Sequence, residues 1–342
     1  MRNVIRLINP YDAGLFPEDF PDKEVVNLAS NENPYEPSEE VKEAYLRAVN
    51  KISRYPKADY FRLKEAIAEY TGFEVKNIAV GCGASEIISC ICNVIVEELD
   101  RVVIPMPSYT LYSIYAMLRN ASISFPVFEK YNVDAEAIAK EKPKLVFLCS
   151  PNNPTGNSLS RKIVERVAES ADYVVLDEAY VEFSDDSKID MVEEFENLIV
   201  LRSFSKFFAL AGMRVGYAVC SAEIAEAIEK VRLPFSISHP AVETAIAALK
   251  SLDYYENVKK EIVAERERLI AGLRRIDWLE VYSSDANFVL VKANKEGVVE
   301  KLAEKGILVR DASVMGLEGL HIRITVGKPE ENDRLIEAFK EI

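Results

Sequence analysis

The sequence predicts an α/β fold, a mostly parallel sheet sandwiched by helices, with a smaller α+β unit at the carboxyl end. Three observations carry that expectation. Short apolar runs at 78–80, 102–104, 145–148, 173–176 and 198–201 have the unbroken hydrophobicity of strands covered on both faces. Helical stretches such as 161–169 lie between them, so strand and helix alternate. After Pro240 the texture changes to a long helical tract, 241–275, and then to short strands near 279–282, 287–292, 307–309 and 321–325. The chain divides on this reading into an amino-terminal arm (1–30), a large α/β unit (31–240) and a small α+β unit (241–342).

A chain of 342 residues, 49% apolar and 29% charged, has ordinary soluble composition and enough length for a substantial core. Its formal net charge of -14 argues against nucleic acid or an anionic membrane as partner. Any phosphate site must therefore be built from a few local donors. No apolar segment has the length of a membrane span, and the first residues lack a signal peptide's apolar block. The five cysteines are odd in number, sit mostly in apolar runs and show no zinc-type spacing. They read as reduced thiols of a cytoplasmic protein, with no metal. The absence of glutamine, beside abundant Glu, Lys, Ile and Val, leans toward a heat-adapted source.

In chain order, Pro10, Pro17 and Pro21 discourage regular structure in the arm. SNENPYEP, 30–37, is turn-rich, and Asn31 and Asn33 are the usual asparagines of such turns. A helix starts at Ser38, with Glu39 and Glu40 in its first turn to suit the dipole. Tyr55 lies on a loop before a helix that carries Leu63, Ala66, Ile67 and Tyr70 at helical spacing and stops at Gly72. Strand 78–80, GCGASE and a helix over 87–96 form a layout that aims backbone N–H groups at an anion, although on its own the pattern reads first as a plain tight turn. The next strands run into PMPSYTLY with Tyr109, CSPNNPTG with Asn153, and DEAYVEF with Asp177 and Tyr180. In open α/β sheets, ligands sit at such carboxyl ends. The fourth exit, SFSK, delivers Lys206 beside Phe207 and Phe208, where desolvation lowers the ammonium pKa and makes a nucleophile toward an aldehyde. Ser203, Ser205 and Arg214 beside it could hold a phosphate dianion. In the small unit, the helical tract is expected to break at Tyr254-Tyr255, and helices cover 297–305 and 329–340.

Each of these residues, taken singly, has an ordinary structural explanation. Lys206 could be a surface lysine after a core strand, Asp177 an N-cap, Asn153 a turn residue and Tyr109 plain core. Their succession at consecutive strand exits makes a site. At this point the stretches SNENPY, RYPKADYFRLKEAIA, GCGASEII, SPNNPTG, LDEAYVEF, RSFSKFFALAGMRVGY, SDANF, GILVRD and HIRITVG come into play. Together they resemble the fold-type I pyridoxal-phosphate aminotransferases over nearly the whole chain, and most closely the histidinol-phosphate branch.

The resemblance implies pyridoxal 5'-phosphate as cofactor. Lys206 would bind its aldehyde covalently and then act as general base. Asp177 would pair with the pyridine nitrogen, Asn153 and Tyr180 with the ring hydroxyl oxygen, and Tyr109 would stack on the ring. Backbone amides of Ala84 and Ser85, the hydroxyls of Ser203 and Ser205, and Arg214 would hold the phosphate. Tyr55 would reach the phosphate of a partner subunit, implying a homodimer. Arg323 would bind the substrate anion, and Arg310 would be the extra cation for a phosphorylated substrate. The alternative for Arg310 is a salt bridge to Asp311 or Glu318. Asn33 would contact the substrate anion and Tyr11 would line the pocket from the arm. The two histidines, His239 and His321, read as structural.

The expected reaction is reversible amino transfer between L-histidinol phosphate and 2-oxoglutarate, which yields glutamate, within histidine biosynthesis. An aromatic amino-acid aminotransferase or a threonine-phosphate decarboxylase would keep the same cofactor residues. A non-catalytic regulator on this fold would need a DNA-reading module, and the acidic chain shows no basic extension for one.

Overall fold

Central strands without a polar face can be buried only between two layers of helices, and the chain folds accordingly. The computed structural model describes residues 1–21 and 24–342; residues 22 and 23 of the expected arm lie outside that description. The larger sheet has seven strands: β1 (Ile78–Cys82), β2 (Arg101–Val103), β3 (Ser122–Ser124), β4 (Leu145–Cys149), β5 (Tyr173–Asp177), β6 (Leu198–Ser203) and β7 (Val215–Val219). Their spatial order is β1-β7-β6-β5-β4-β2-β3, parallel except for β7, which is antiparallel to both its neighbours. The link from β6 to β7 is too short for a parallel crossover, so the chain must turn back. Because β7 is antiparallel to both β1 and β6, β1 runs in the same direction as β6. The carboxyl ends of β1, β4, β5 and β6 consequently share one edge.

Alternation along the central strands supplies both cores. Val146, Leu148, Val174, Leu176 and Val200 pack to one side, and Phe147, Val175, Ile199 and Leu201 to the other. Each such side chain, fully buried, contributes about 1.5–3 kcal/mol. The edge strand β3 is half-buried and polar, and so left no apolar run in the sequence.

The smaller sheet is antiparallel, built from β8 (Leu279–Val281), β9 (Phe288–Ala293), β10 (Arg310–Asp311) and β11 (His321–Thr325) in the order β10-β11-β9-β8. The strand expected near 307–309 is in fact divided. Ile307–Leu308 pair in parallel with Val26–Asn27 of the arm, and Arg310–Asp311 pass into the small sheet. The arm is less irregular than its prolines suggested, with short helical turns at Asn3–Arg6 and Pro17–Asp19.

The long helical tract breaks at Ser251, between His239–Lys250 and Leu252–Leu273, and not at Tyr254-Tyr255. The Ser251 hydroxyl donates to the Ala247 carbonyl at 3.0 Å and meets the Ser38 hydroxyl at 3.1 Å, competing with the helix ladder. Tyr255 is fully buried and continues the second helix. The helix after β1 starts at Gly83 rather than near 87, so the glycine turn is shorter than expected.

Candidate active site

A chain leaving a parallel sheet gives up its ladder partners at the strand's carboxyl end, and there side chains and amides become free for a ligand. β5 ends in Asp177, which is 4% exposed. Its Oδ2 accepts from the Tyr112 hydroxyl at 2.6 Å and its Oδ1 from the Ala179 N–H at 2.9 Å. Burial pushes this carboxyl up to about 6, against the pull of those donors toward the anion.

Beyond β6, Lys206 donates from Nζ to the Ser30 carbonyl at 2.8 Å and sits 5.9 Å from the centroid of the Tyr180 ring. Burial, aided by the positive charges of Arg323 and Arg214, pushes its ammonium down to about 7, while Glu32 opposes the shift. The Tyr180 hydroxyl accepts from Asn31 Nδ2 at 3.0 Å. Asn153 Oδ1 accepts from Arg323 Nη1 at 2.7 Å. Tyr109 meets Tyr112 edge-on at 5.5 Å and Tyr11 at 6.2 Å.

A corner rich in hydrogen-bond donors lies where the helix Gly83–Ile95 begins, since the first N–H groups of a helix have no partner within it. Arg214 adopts a left-handed backbone, φ 55°, and its Nη1 lies 3.4 Å from the Ser205 hydroxyl and 3.1 Å from the Ala211 carbonyl. Ser203 Oγ accepts from the Ser205 N–H at 3.0 Å. Two glycines permit the closeness. A Cβ on Gly83 would lie 2.5 Å from Arg214 Nη2, and one on Gly216 would lie 2.4 Å from the Ala84 nitrogen.

These groups line one cavity of about 560 Å³, together with Ala84, Ser85, Tyr11, Arg310 and Arg323. The two arginines come from the small sheet, directly opposite one another on β10 and β11. They are 5% and 6% exposed. Like charges facing across strands repel, and burial together with the Arg310 charge holds the Arg323 guanidinium below its ordinary pKa. Arg323 donates from Nη2 to the Ala29 carbonyl at 2.6 Å, but its buried Nε has no partner among the described residues.

Arg310 does bridge to an acid, though to neither Asp311 nor Glu318. Its guanidinium reaches the backbone carbonyl of Asp12 and lies 3.5 Å from both oxygens of the Asp12 carboxylate. Asp12 belongs to the arm, 298 residues away in sequence, so no local pattern announces it.

Asn33 lies outside the cavity lining; its amide donates to the Phe207 carbonyl at 3.0 Å and its oxygen accepts from the Tyr35 N–H at 3.0 Å. Tyr55 is 78% exposed, stacked on Phe235 at 4.5 Å, and is no part of this chain's cavity. Residues that sequence reasoning passed over are Tyr112, Asn31 and Glu32. Tyr112 follows Tyr109 by three positions, the helical spacing that puts two side chains together, and was legible on that ground. Glu32 is an exposed carboxylate lining the cavity within a stretch read only as turn. His239 and His321 contact the Tyr55 carbonyl (3.2 Å) and the Tyr282 ring (6.0 Å) respectively, and neither lines the cavity.

A family model described as aminotransferase class I and II matches residues 23–339. The chain is 84% identical over 342 residues to histidinol-phosphate aminotransferase 2 of Archaeoglobus fulgidus, covering 100% of both chains. It is 42% identical over 325 residues to the histidinol-phosphate aminotransferase of Caldanaerobacter subterraneus subsp. tengcongensis, covering 92% of each. Among solved structures, the histidinol-phosphate aminotransferase of Sinorhizobium meliloti in complex with pyridoxal-5'-phosphate superposes with a TM-score of 0.90 at 28% identity, covering 100% of this chain and 98% of the other.

Proposed function

The chain belongs to the class I and II aminotransferase family, and from that premise we propose that it transfers an amino group reversibly between L-histidinol phosphate and 2-oxoglutarate in histidine biosynthesis. The observation that carries this reading is the convergence on one cavity of a desolvated amine, Lys206, a buried carboxylate, Asp177, and two cross-strand arginines.

The residues present fit pyridoxal 5'-phosphate. An anion corner made by Ala84, Ser85, Ser203, Ser205 and Arg214 suits its phosphate, and Tyr109 offers a flat aromatic wall. Asp177 suits a ring nitrogen that must stay cationic, while Asn153 and Tyr180 suit the ring hydroxyl oxygen. Lys206 suits the aldehyde as the covalent attachment point. When bound, the cofactor supplies an electron sink for a carbon that loses its proton.

The chain's own groups do the rest. Lys206, neutral above pH about 7, takes the proton from the substrate carbon that bears the nitrogen and later returns one. Asp177 holds positive charge at the far end of the site. Arg323 and Arg310 orient the substrate anion, the phosphate of histidinol phosphate in one half-reaction and a carboxylate of glutamate in the other. Tyr11 closes the pocket from the arm. Asn33 holds the carbonyl of Phe207, the residue after Lys206, rather than the substrate.

Tyr55 completes the phosphate site of a second subunit in a homodimer. Its exposure, stacked on the likewise exposed Phe235, supports that assembly. Five unpaired cysteines support a cytoplasmic location. Among the described residues no helix is long and apolar enough to cross a membrane.

Steady-state rates with histidinol phosphate, phenylalanine and threonine phosphate test the reading. Histidinol phosphate is expected to have the highest kcat/KM. A preference for phenylalanine, or release of carbon dioxide from threonine phosphate, would overturn the substrate assignment.

A further inference from the structure

Asp177 can balance a cation in the cavity only while its deeply buried carboxyl stays charged. Unopposed burial favours the neutral acid, and a neutral acid cannot hold a cation beside it. Two donors act on Asp177, the backbone N–H of Ala179 and the hydroxyl of Tyr112. The first is fixed by the turn; the second is a side chain belonging to another element.

Tyr112 is wholly buried on the helix Thr110–Leu118. Its ring stacks on Phe147 at 4.7 Å with the planes 7° apart, which fixes the ring axis, and its edge meets Tyr109 at 5.5 Å. Burial and the neighbouring Asp177 hold its phenol well above the usual range, so it keeps its proton and donates throughout the working pH. A carboxylate offers roughly four lone-pair positions. The two donors take one on each oxygen and leave others for a cation in the cavity.

We infer that Tyr112 is a positioning residue for the transfer reaction: its hydroxyl keeps Asp177 ionised and aimed, and its ring braces Tyr109, so one buried side chain sets both the acid and the aromatic wall. This rests on the proposed pairing of Asp177 with the cofactor's ring nitrogen.

The test is Tyr112→Phe in the holoenzyme, which keeps the ring and removes the donor. The visible band of the Lys206-bound cofactor is titrated with pH. Its midpoint is expected to move up by roughly one unit, because a ring nitrogen held less firmly as a cation leaves the nitrogen of the Lys206 linkage more basic. kcat should fall roughly 10- to 100-fold, the range for losing a hydrogen bond to a charged group. Reconstitution with a cofactor analogue carrying carbon in place of the ring nitrogen should make wild type and variant alike. A folded Tyr112→Phe protein with an unmoved midpoint overturns the inference.

Should that variant fail to fold, 3-fluorotyrosine at position 112 keeps the shape and donates more strongly. The midpoint should then move down, and a rise or no change counts against the role. Asp177→Asn separates the role of Asp177 from that of Tyr112. If it leaves the band and kcat unchanged, the pairing of Asp177 with the ring nitrogen is wrong. If it abolishes turnover while Tyr112→Phe leaves the midpoint in place, only the role of Tyr112 is lost.

Discussion

The two ends of the cavity satisfy their charges in opposite ways. At the large-sheet end the buried polar groups find partners within the chain: Asp177 with Tyr112 and Ala179, Tyr180 with Asn31, Ser203 with Ser205. At the small-sheet end two buried arginines face each other across β10 and β11, and the Arg323 Nε has no partner among the described residues. The acid that reaches Arg310, Asp12, sits on the arm with its side chain 60% exposed. A buried like-charge pair is unfavourable until an anion joins it. One end is therefore finished by folding, and the other is finished by the ligand.

Mutations at the two ends should differ in kind as well as size. Lys206→Ala is expected to lower kcat by roughly 10⁴-fold or more and to abolish covalent retention of cofactor after borohydride. It should also alter the pH dependence of stability in the cofactor-free protein. The folded pKa of Lys206, about 7, lies below its ordinary 10.5, so between these values only the unfolded chain carries the proton. Stability from this group thus rises with pH across that window. Urea midpoints from pH 7 to 10 should show a slope in wild type that is reduced in Lys206→Ala.

Arg323→Lys strikes the small-sheet end at its centre, because a point charge replaces a planar fork that also holds Asn153. kcat/KM should fall roughly 30-fold or more, the consequence of losing about 2–5 kcal/mol at a buried charge pair, with the cofactor's Kd little changed. Arg310→Gln should be milder and selective, costing roughly tenfold in kcat/KM for histidinol phosphate but little for phenylalanine. An equal loss with both substrates would show that Arg310 does not read the phosphate.

The smallest effect belongs to Asp12→Asn. Removing the exposed acid that competes for Arg310 should lower KM for histidinol phosphate roughly two- to fivefold, in keeping with the small worth of solvent-exposed ion pairs. A raised KM would mean that Asp12 helps to hold the substrate rather than competing with it.

How much of this was legible in sequence followed the distance over which each feature is decided. The strand cores were readable because a strand buried on both faces must be apolar throughout, as 145–148, 173–176 and 198–201 are. Their exits were readable because SFSK, DEAY and NPTG each place a chemical group at the end of a strand or a few residues past it, and Lys206, Asp177 and Asn153 all line the cavity. Local sequence determined these, since the strand and the turn after it are neighbours in the chain.

What only the tertiary structure decided involves partners far apart in sequence. Arg310 meets Asp12 across 298 residues, Tyr180 meets Asn31 across 149, and Asp177 meets Tyr112 across 65. The break at Ser251 and the division of 307–311 between two sheets are of the same kind. Each depends on which surfaces the packed sheets bring together. A side chain's own neighbours in sequence carry no record of the group it will meet across the fold, and hydrogen bonding and charge pairing act only at contact.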